Sequence, residues 1–152
     1  MAMNQNECAA RVVEVVPTVM RHLRANIRSQ KTLQFTIPQF RVLTYLHHHG
    51  QATLSELAGS QGVSLPTMSK LVGSLVQRKL VAREGHGADR RKLKLELSTE
   101  GRRAHDSTLE NTRDIVAAKI ADLTDDQQDA ILNGMILLLG VFEPARVKAE
   151  VA

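Results

Sequence analysis

Between Ser64 and Lys79 the apolar and polar positions separate onto two faces. At about 100° per residue, Met68, Leu71, Val72, Leu75 and Val76 fall on one side at the i, i+3, i+4, i+7 spacing of a core-facing stripe. Thr67, Lys70, Ser74 and Gln77 fall on the other, and no acid occurs from Ser64 to Lys79. The spacing predicts a helix with Ser64 as its N-cap and Pro66 in the first turn, where a missing N–H is no loss. A face of hydroxyls, an amide and a cation can approach phosphates and base edges without repulsion. Free N–H groups in the first turn suit an anion as well. An ordinary amphipathic helix with an acid-free solvated face fits the same stretch, so its flanks must decide.

On the N-terminal side, Val12, Val16, Met20, Leu23 and Ile27 predict a helix from about Cys8 to Ser29, with Pro17 as a kink or an early break. Arg21, Arg24, Arg28 and Lys31 line one flank of it, most simply as a solvated face. Thr36-Ile37-Pro38-Gln39 opens a helix through Phe40, Leu43 and Leu46 that stops at Gly50. Thr53-Leu54-Ser55-Glu56 is a capping box for a short helix over Leu57 and Ala58 that ends near Gly62. Two short helices joined by a glycine turn, the second with the acid-free face, make a helix-turn-helix.

Beyond Lys79, residues 80–84 and the alternation of Leu93, Leu95 and Leu97 with Lys94 and Glu96 predict two strands. Between them, residues 85–91 form a glycine-rich loop with adjacent arginines, a wing suited to a minor groove. Ser98-Thr99-Glu100-Gly101 caps a long helix through Leu109, Ile115, Val116 and Ile120, and Thr124-Asp125-Asp126-Gln127 opens the last one. That last helix contains Met135-Ile136-Leu137-Leu138-Leu139-Gly140-Val141-Phe142, apolar all the way round. A chain this small can hardly surround it, so a two-fold dimer built from the first, fifth and sixth helices is expected.

Composition changes this picture little. With 43% apolar and 24% charged residues over 152 positions the chain is ordinary globular material, and 3% aromatics imply aliphatic cores. The distribution of charge says more. Residues 64–103 hold ten of the 20 lysines and arginines but four of the 16 acids, an excess of six positive charges, while the remainder sums to minus two. A basic third on a slightly acidic scaffold suits a nucleic-acid face. A single cysteine, Cys8, and a polar N-terminus lead to the expectation of a cytoplasmic protein. The longest apolar run, Met135 to Phe142, is far short of the ~20 residues of a membrane-spanning helix.

Thr53-Leu54-Ser55-Glu56-Leu57-Ala58, Gly62-Val63-Ser64, Ser69-Lys70-Leu71-Val72, and Asp89-Arg90-Arg91 ahead of residues 95–102 together resemble the MarR family of bacterial transcription regulators. The resemblance implies a mainly α fold: a winged helix-turn-helix at 36–100, and helices at 5–32 and 101–148 forming a dimerisation region. About six helices and a two-stranded wing are expected. It further implies a homodimer on a pseudo-palindromic operator in double-stranded DNA, commonly a repressor released by a small aromatic or phenolic effector. By the same resemblance Arg91 enters the minor groove and Asp89 holds the wing, with Arg90 as a further contact. The other expected DNA-binding residues are Ser55, Ser64, Pro66, Thr67, Ser69, Lys70, Ser74 and Gln77. Arg21, Tyr45 and His105 are candidates for an effector pocket.

Rival readings remain. Some members of that family sense oxidants through an N-terminal cysteine, but Cys8 has only Arg11 as an obvious activating neighbour. His47-His48-His49 invites a metal, yet consecutive helical residues point about 100° apart, so the three cannot converge on one ion, and no His pair has the i, i+4 spacing of helical metal sites; no metal and no cofactor is expected. No nucleophile elbow, phosphate-cradling loop or paired carboxylates suggest an enzyme. A winged-helix module that binds protein instead of an operator is the stronger rival, and steep salt dependence of DNA binding separates the two.

Overall fold

A computed structural model describes residues 4–29, 36–84 and 93–144. The element order is α1 (Gln5–Ser29), α2 (Ile37–His49), β1 (Gln51–Thr53), α3 (Leu54–Gln61), α4 (Leu65–Gln77), β2 (Val81–Glu84), β3 (Lys94–Leu97), α5 (Thr99–Ile120) and α6 (Asp125–Phe142). The chain divides into two compact units, Met1–Arg113 and Asp114–Ala152, with the division inside α5. The mainly α winged architecture expected from the sequence is therefore present.

In the first unit the helix starts are fixed by side chains that satisfy orphaned backbone groups. Thr36 and Gln39 form a capping box on α2, and Thr53 and Glu56 form one on α3, with the Glu56 carboxylate accepting from the Thr53 N–H at 2.7 Å. Those hydrogen bonds hold the Glu56 carboxyl below its ordinary pKa, the Thr53 backbone contributing most. The core is aliphatic, as the composition implies. Val42, Leu43 and Leu46 of α2, Leu57 of α3, and Met68, Val72 and Leu75 of α4 are fully buried and meet Leu95 and Leu97 of β3. Each such side chain contributes about 2 kcal/mol by leaving water, so the predicted stripe of α4 does the packing assigned to it.

Two expectations need adjusting. The two strands expected of the wing, β2 and β3, do pair, but β1 joins them as a third strand in a sheet ordered β1-β3-β2, antiparallel throughout, with Ala52 opposite Leu95. Three residues are too few to display a period of two, and β1 is made visible only by its partner. Of the two alternatives for Pro17, the early break does not occur, since α1 runs on to Ser29. Proline leaves the carbonyl four residues back unpaired; here that residue is Val13, 72% exposed.

The join between sheet and α5 is unusually close. Ser98 Oγ accepts from the Gly101 N–H at 2.9 Å, and a Cβ on Gly101 would stand 1.9 Å from the Leu80 carbonyl oxygen. Only glycine fits there.

The second unit holds the end of α5 and all of α6. Thr124 and Gln127 form the predicted capping box. No residue of α6 is buried, and Leu137, Val141 and Phe142 are each more than 70% exposed.

Candidate nucleic-acid interface

Helix α3 ends at Gly62, whose left-handed backbone, φ 65°, lets its N–H reach back to Ala58 and Gly59. Two residues later Ser64 caps α4, its Oγ accepting from the Thr67 N–H at 3.3 Å and lying 2.9 Å from the Thr67 hydroxyl. The turn is thus locked by three local devices: a glycine in the left-handed region, a serine cap and Pro66 in the first turn. What it presents is Ser64, Pro66, Thr67, Ser69 and Lys70, all exposed and with no acid among them. Gln77 is also exposed, one helix length further on, and Ser55 is exposed at the start of α3.

Ser74 sits differently. It is half-buried and its hydroxyl accepts from Gln39 Nε2 at 3.1 Å, so it ties α4 to the start of α2. Gln39 also accepts from the Thr36 N–H, which makes one buried amide serve the cap and the helix pair together. Asp89, Arg90 and Arg91 of the wing lie outside the described residues. At the base of the wing, Gln51 Nε2 donates to Glu84 at 2.8 Å and Glu96 at 3.2 Å, a polar tie across all three strands.

A family profile described as MarR family matches residues 33–92, which take in α2, the helix-turn-helix and β2. Among its relatives the transcriptional repressor MdtR of Bacillus subtilis is 29% identical over 101 residues, 66% of this chain and 65% of that one. In fold it is similar to a MarR family protein from Bacillus stearothermophilus, with a TM-score of 0.73 at 22% identity, covering 90% of this chain and 96% of the other. It is similar also to BpsR of Bordetella bronchiseptica, a protein whose DNA binding is regulated by 6-hydroxynicotinic acid. The TM-score there is 0.60 at 23% identity, over 84% of this chain and 98% of BpsR. The chain therefore shares the winged-helix fold of these proteins.

Away from α4, the chain has a cavity of about 470 Å³ lined by α1, α2 and α3. Its wall is mostly apolar, from Met20, Ile27, Ile37 and Phe40, with Arg24 and Arg41 as cations. Tyr45 lines it with its ring stacked on His49, centroids 3.9 Å apart. Thr44 lines it too, though its hydroxyl oxygen is buried, without a hydrogen-bond partner. The three effector candidates are not brought together: Tyr45 is in the wall, Arg21 is outside it while Arg24, also exposed, borders it, and His105 lies elsewhere. Sequence reasoning misses Arg24, Arg41 and Thr44 because a cation at helical spacing looks the same whether it faces a cavity or water.

His105 is fully buried between two rings, Phe40 at 5.4 Å and His47 at 4.3 Å between centroids. Burial pushes its pKa down, against the opposing hydrogen bond to Asp106. The histidine triplet does not converge, as its spacing requires, but His47 alone meets His105 and Asp106 of α5. No helix among the described residues is long and apolar enough to cross a membrane.

Proposed function

We propose that this MarR-family chain acts in the cytoplasm as a homodimeric repressor of a pseudo-palindromic operator, released when a small aromatic or phenolic acid fills the α1–α2–α3 cavity. The acid-free, fully presented first turns of α4 carry the reading. Thr67, Ser69 and Lys70, with Ser64 and Pro66 at the helix start, contact bases and phosphates in the major groove, and Ser55 and Gln77 extend the contact. Ser74, held by Gln39, acts by positioning the helix. Arg91 enters the minor groove, Asp89 steadies the wing and Arg90 adds a phosphate contact.

Dimerisation is supported by the apolar faces left open on α1 and α6, including Val13, Leu132, Leu137 and Phe142. Greasy surfaces of that kind mark an interface. A two-fold pair would set the recognition helices on half-sites about 34 Å apart, one turn of duplex. The repressor sign draws support from the relative MdtR, itself a transcriptional repressor, and effector control from BpsR with its 6-hydroxynicotinic acid. The cavity has the chemistry for such a ligand: apolar walls for a ring, and Arg24 and Arg41 for a carboxylate.

The test begins by selecting bound fragments from genomic DNA and measuring affinity across salt. Operator affinity should fall steeply as salt rises, because displaced counterions are restored to the duplex. Arg91→Ala should weaken it about tenfold or more and leave the dimer and melting temperature unchanged. Unchanged affinity refutes the wing assignment. A protein indifferent to duplex DNA in dilute buffer refutes operator binding and favours the protein-interaction module.

A further inference from the structure

We propose that His47, His105 and Asp106 bind one divalent transition-metal ion of the zinc, cobalt or nickel class, tying the end of α2 to the second turn of α5. The two α5 residues stand 58 and 59 positions beyond His47 along the chain, yet each of the three offers a ligand atom within 4.8 Å of the others. Asp106 Oδ1 lies 3.0 Å from His105 Nδ1 and 3.7 Å from His47 Nδ1. Bonds of 2.0–2.2 Å in a tetrahedron set neighbouring donors about 3.4 Å apart, between those two separations.

A second observation points the same way. A buried nitrogen of this cluster, His47 Nδ1, 3.7 Å from the Asp106 carboxylate, has no hydrogen-bond partner, although nearly all buried polar atoms in folded proteins find one. Only four side-chain atoms among the described residues share that condition. An ion is one group that satisfies such a nitrogen. Imidazole with a carboxylate selects zinc, cobalt or nickel over magnesium or calcium, which prefer oxygen alone. Access is provided on one side, since the side chains of His47 and Asp106 are 31% and 54% exposed while that of His105 is closed off. That open side leaves room for water as the remaining ligand.

The rings also define what must move. His47 and His105 stack at 25°, so their in-plane lone pairs run nearly parallel and cannot both meet one ion. Metal binding therefore turns the His47 ring off the stack, while His105 stays fixed between burial and Phe40. The neighbouring His49 is committed elsewhere, with its Nδ1 2.8 Å from the Tyr45 carbonyl.

The experiment is a cobalt(II) titration of the full, untagged, chelator-treated chain, followed by absorption in the visible, with zinc added to displace it. One cobalt per chain with ligand-field bands is expected, together with a raised melting temperature. His47→Gln and Asp106→Asn, both at partly exposed positions, should each weaken cobalt binding about tenfold or more and leave the metal-free circular dichroism unchanged. His48→Gln combined with His49→Gln should leave the affinity within about twofold, since neither is a ligand. Absence of stoichiometric cobalt, as for a cluster that holds only water, overturns the proposal. So does an affinity indifferent to both cluster variants, or one lost in the His48/His49 pair instead.

Discussion

Helices α4 and α6 are both rich in aliphatic residues, and they meet opposite fates. In α4 the apolar positions form a stripe, the stripe is buried against α2, α3 and β3, and Leu75 is wholly out of water. In α6 they go all round, and the helix keeps no buried residue. A stripe finds its partner inside one chain because the other face can stay wet. A helix without a polar face has no such option, and its exposed side chains point to a second chain.

The largest expected effect comes from putting a charge where that second chain would sit. Leu138→Asp should dissociate the dimer by at least about 100-fold, since an unpaired carboxylate in an apolar interface costs several kcal/mol. Light scattering coupled to gel filtration reads the mass. A variant that stays dimeric at micromolar concentration would show that α6 is not the interface. Leu75→Ala is the matching change in α4, with a loss of about 2–5 kcal/mol. Its melting shift should be the same at every protein concentration, whereas that of Leu138→Asp should depend on it.

Next in size is the lobe's closure at Gly101. A methyl group there meets the Leu80 backbone carbonyl at 1.9 Å, and a backbone atom cannot step aside as a side chain can. Gly101→Ala should cost about 3 kcal/mol, roughly 10 °C in melting temperature. Gly134→Ala in α6, where nothing lies within 4 Å, should be neutral or slightly stabilising. If the two alanines behave alike, the close approach of α5 to Leu80 does not exist in solution.

Local chemistry is legible in the sequence, and pairing across distance is not. The capping boxes at Thr53 and Thr124, the stop at Gly62 and the stripe of α4 each depend on residues within one helix, where spacing alone decides geometry. Strand β1 depends on Leu95 and its neighbours more than 40 positions away, and three residues carry no period to reveal it. Ser74 falls on the polar face of the helical projection because spacing cannot show that Gln39 reaches across to it. The histidine triplet is excluded as a chelate by its own spacing, but no pattern within α2 could announce His105 and Asp106. Likewise Arg21 and Arg24 lie only about 60° apart on a helical projection, and only the packing of α1 on α2 puts the second beside the cavity.

The smallest effect concerns that local chemistry. Glu56 is solvent-facing, and its carboxyl is held below the ordinary carboxylate range first by the Thr53 N–H, then by the Thr53 hydroxyl. A group whose folded-state pKa is depressed adds stability that is fully present above its unfolded pKa and is lost as pH falls through the folded one. The α3 cap should therefore weaken on acidification below the carboxylate range and be indifferent between pH 6 and pH 8. Glu56→Gln keeps an acceptor for the Thr53 N–H but cannot titrate, so its melting temperature should follow that of the parent at neutral pH with a small offset. The gap should then close as pH falls below about 4. A gap that widens with acid would mean that the Thr53 contact is not what lowers the Glu56 pKa, and that the cap holding α3 in front of α4 rests on the threonine alone.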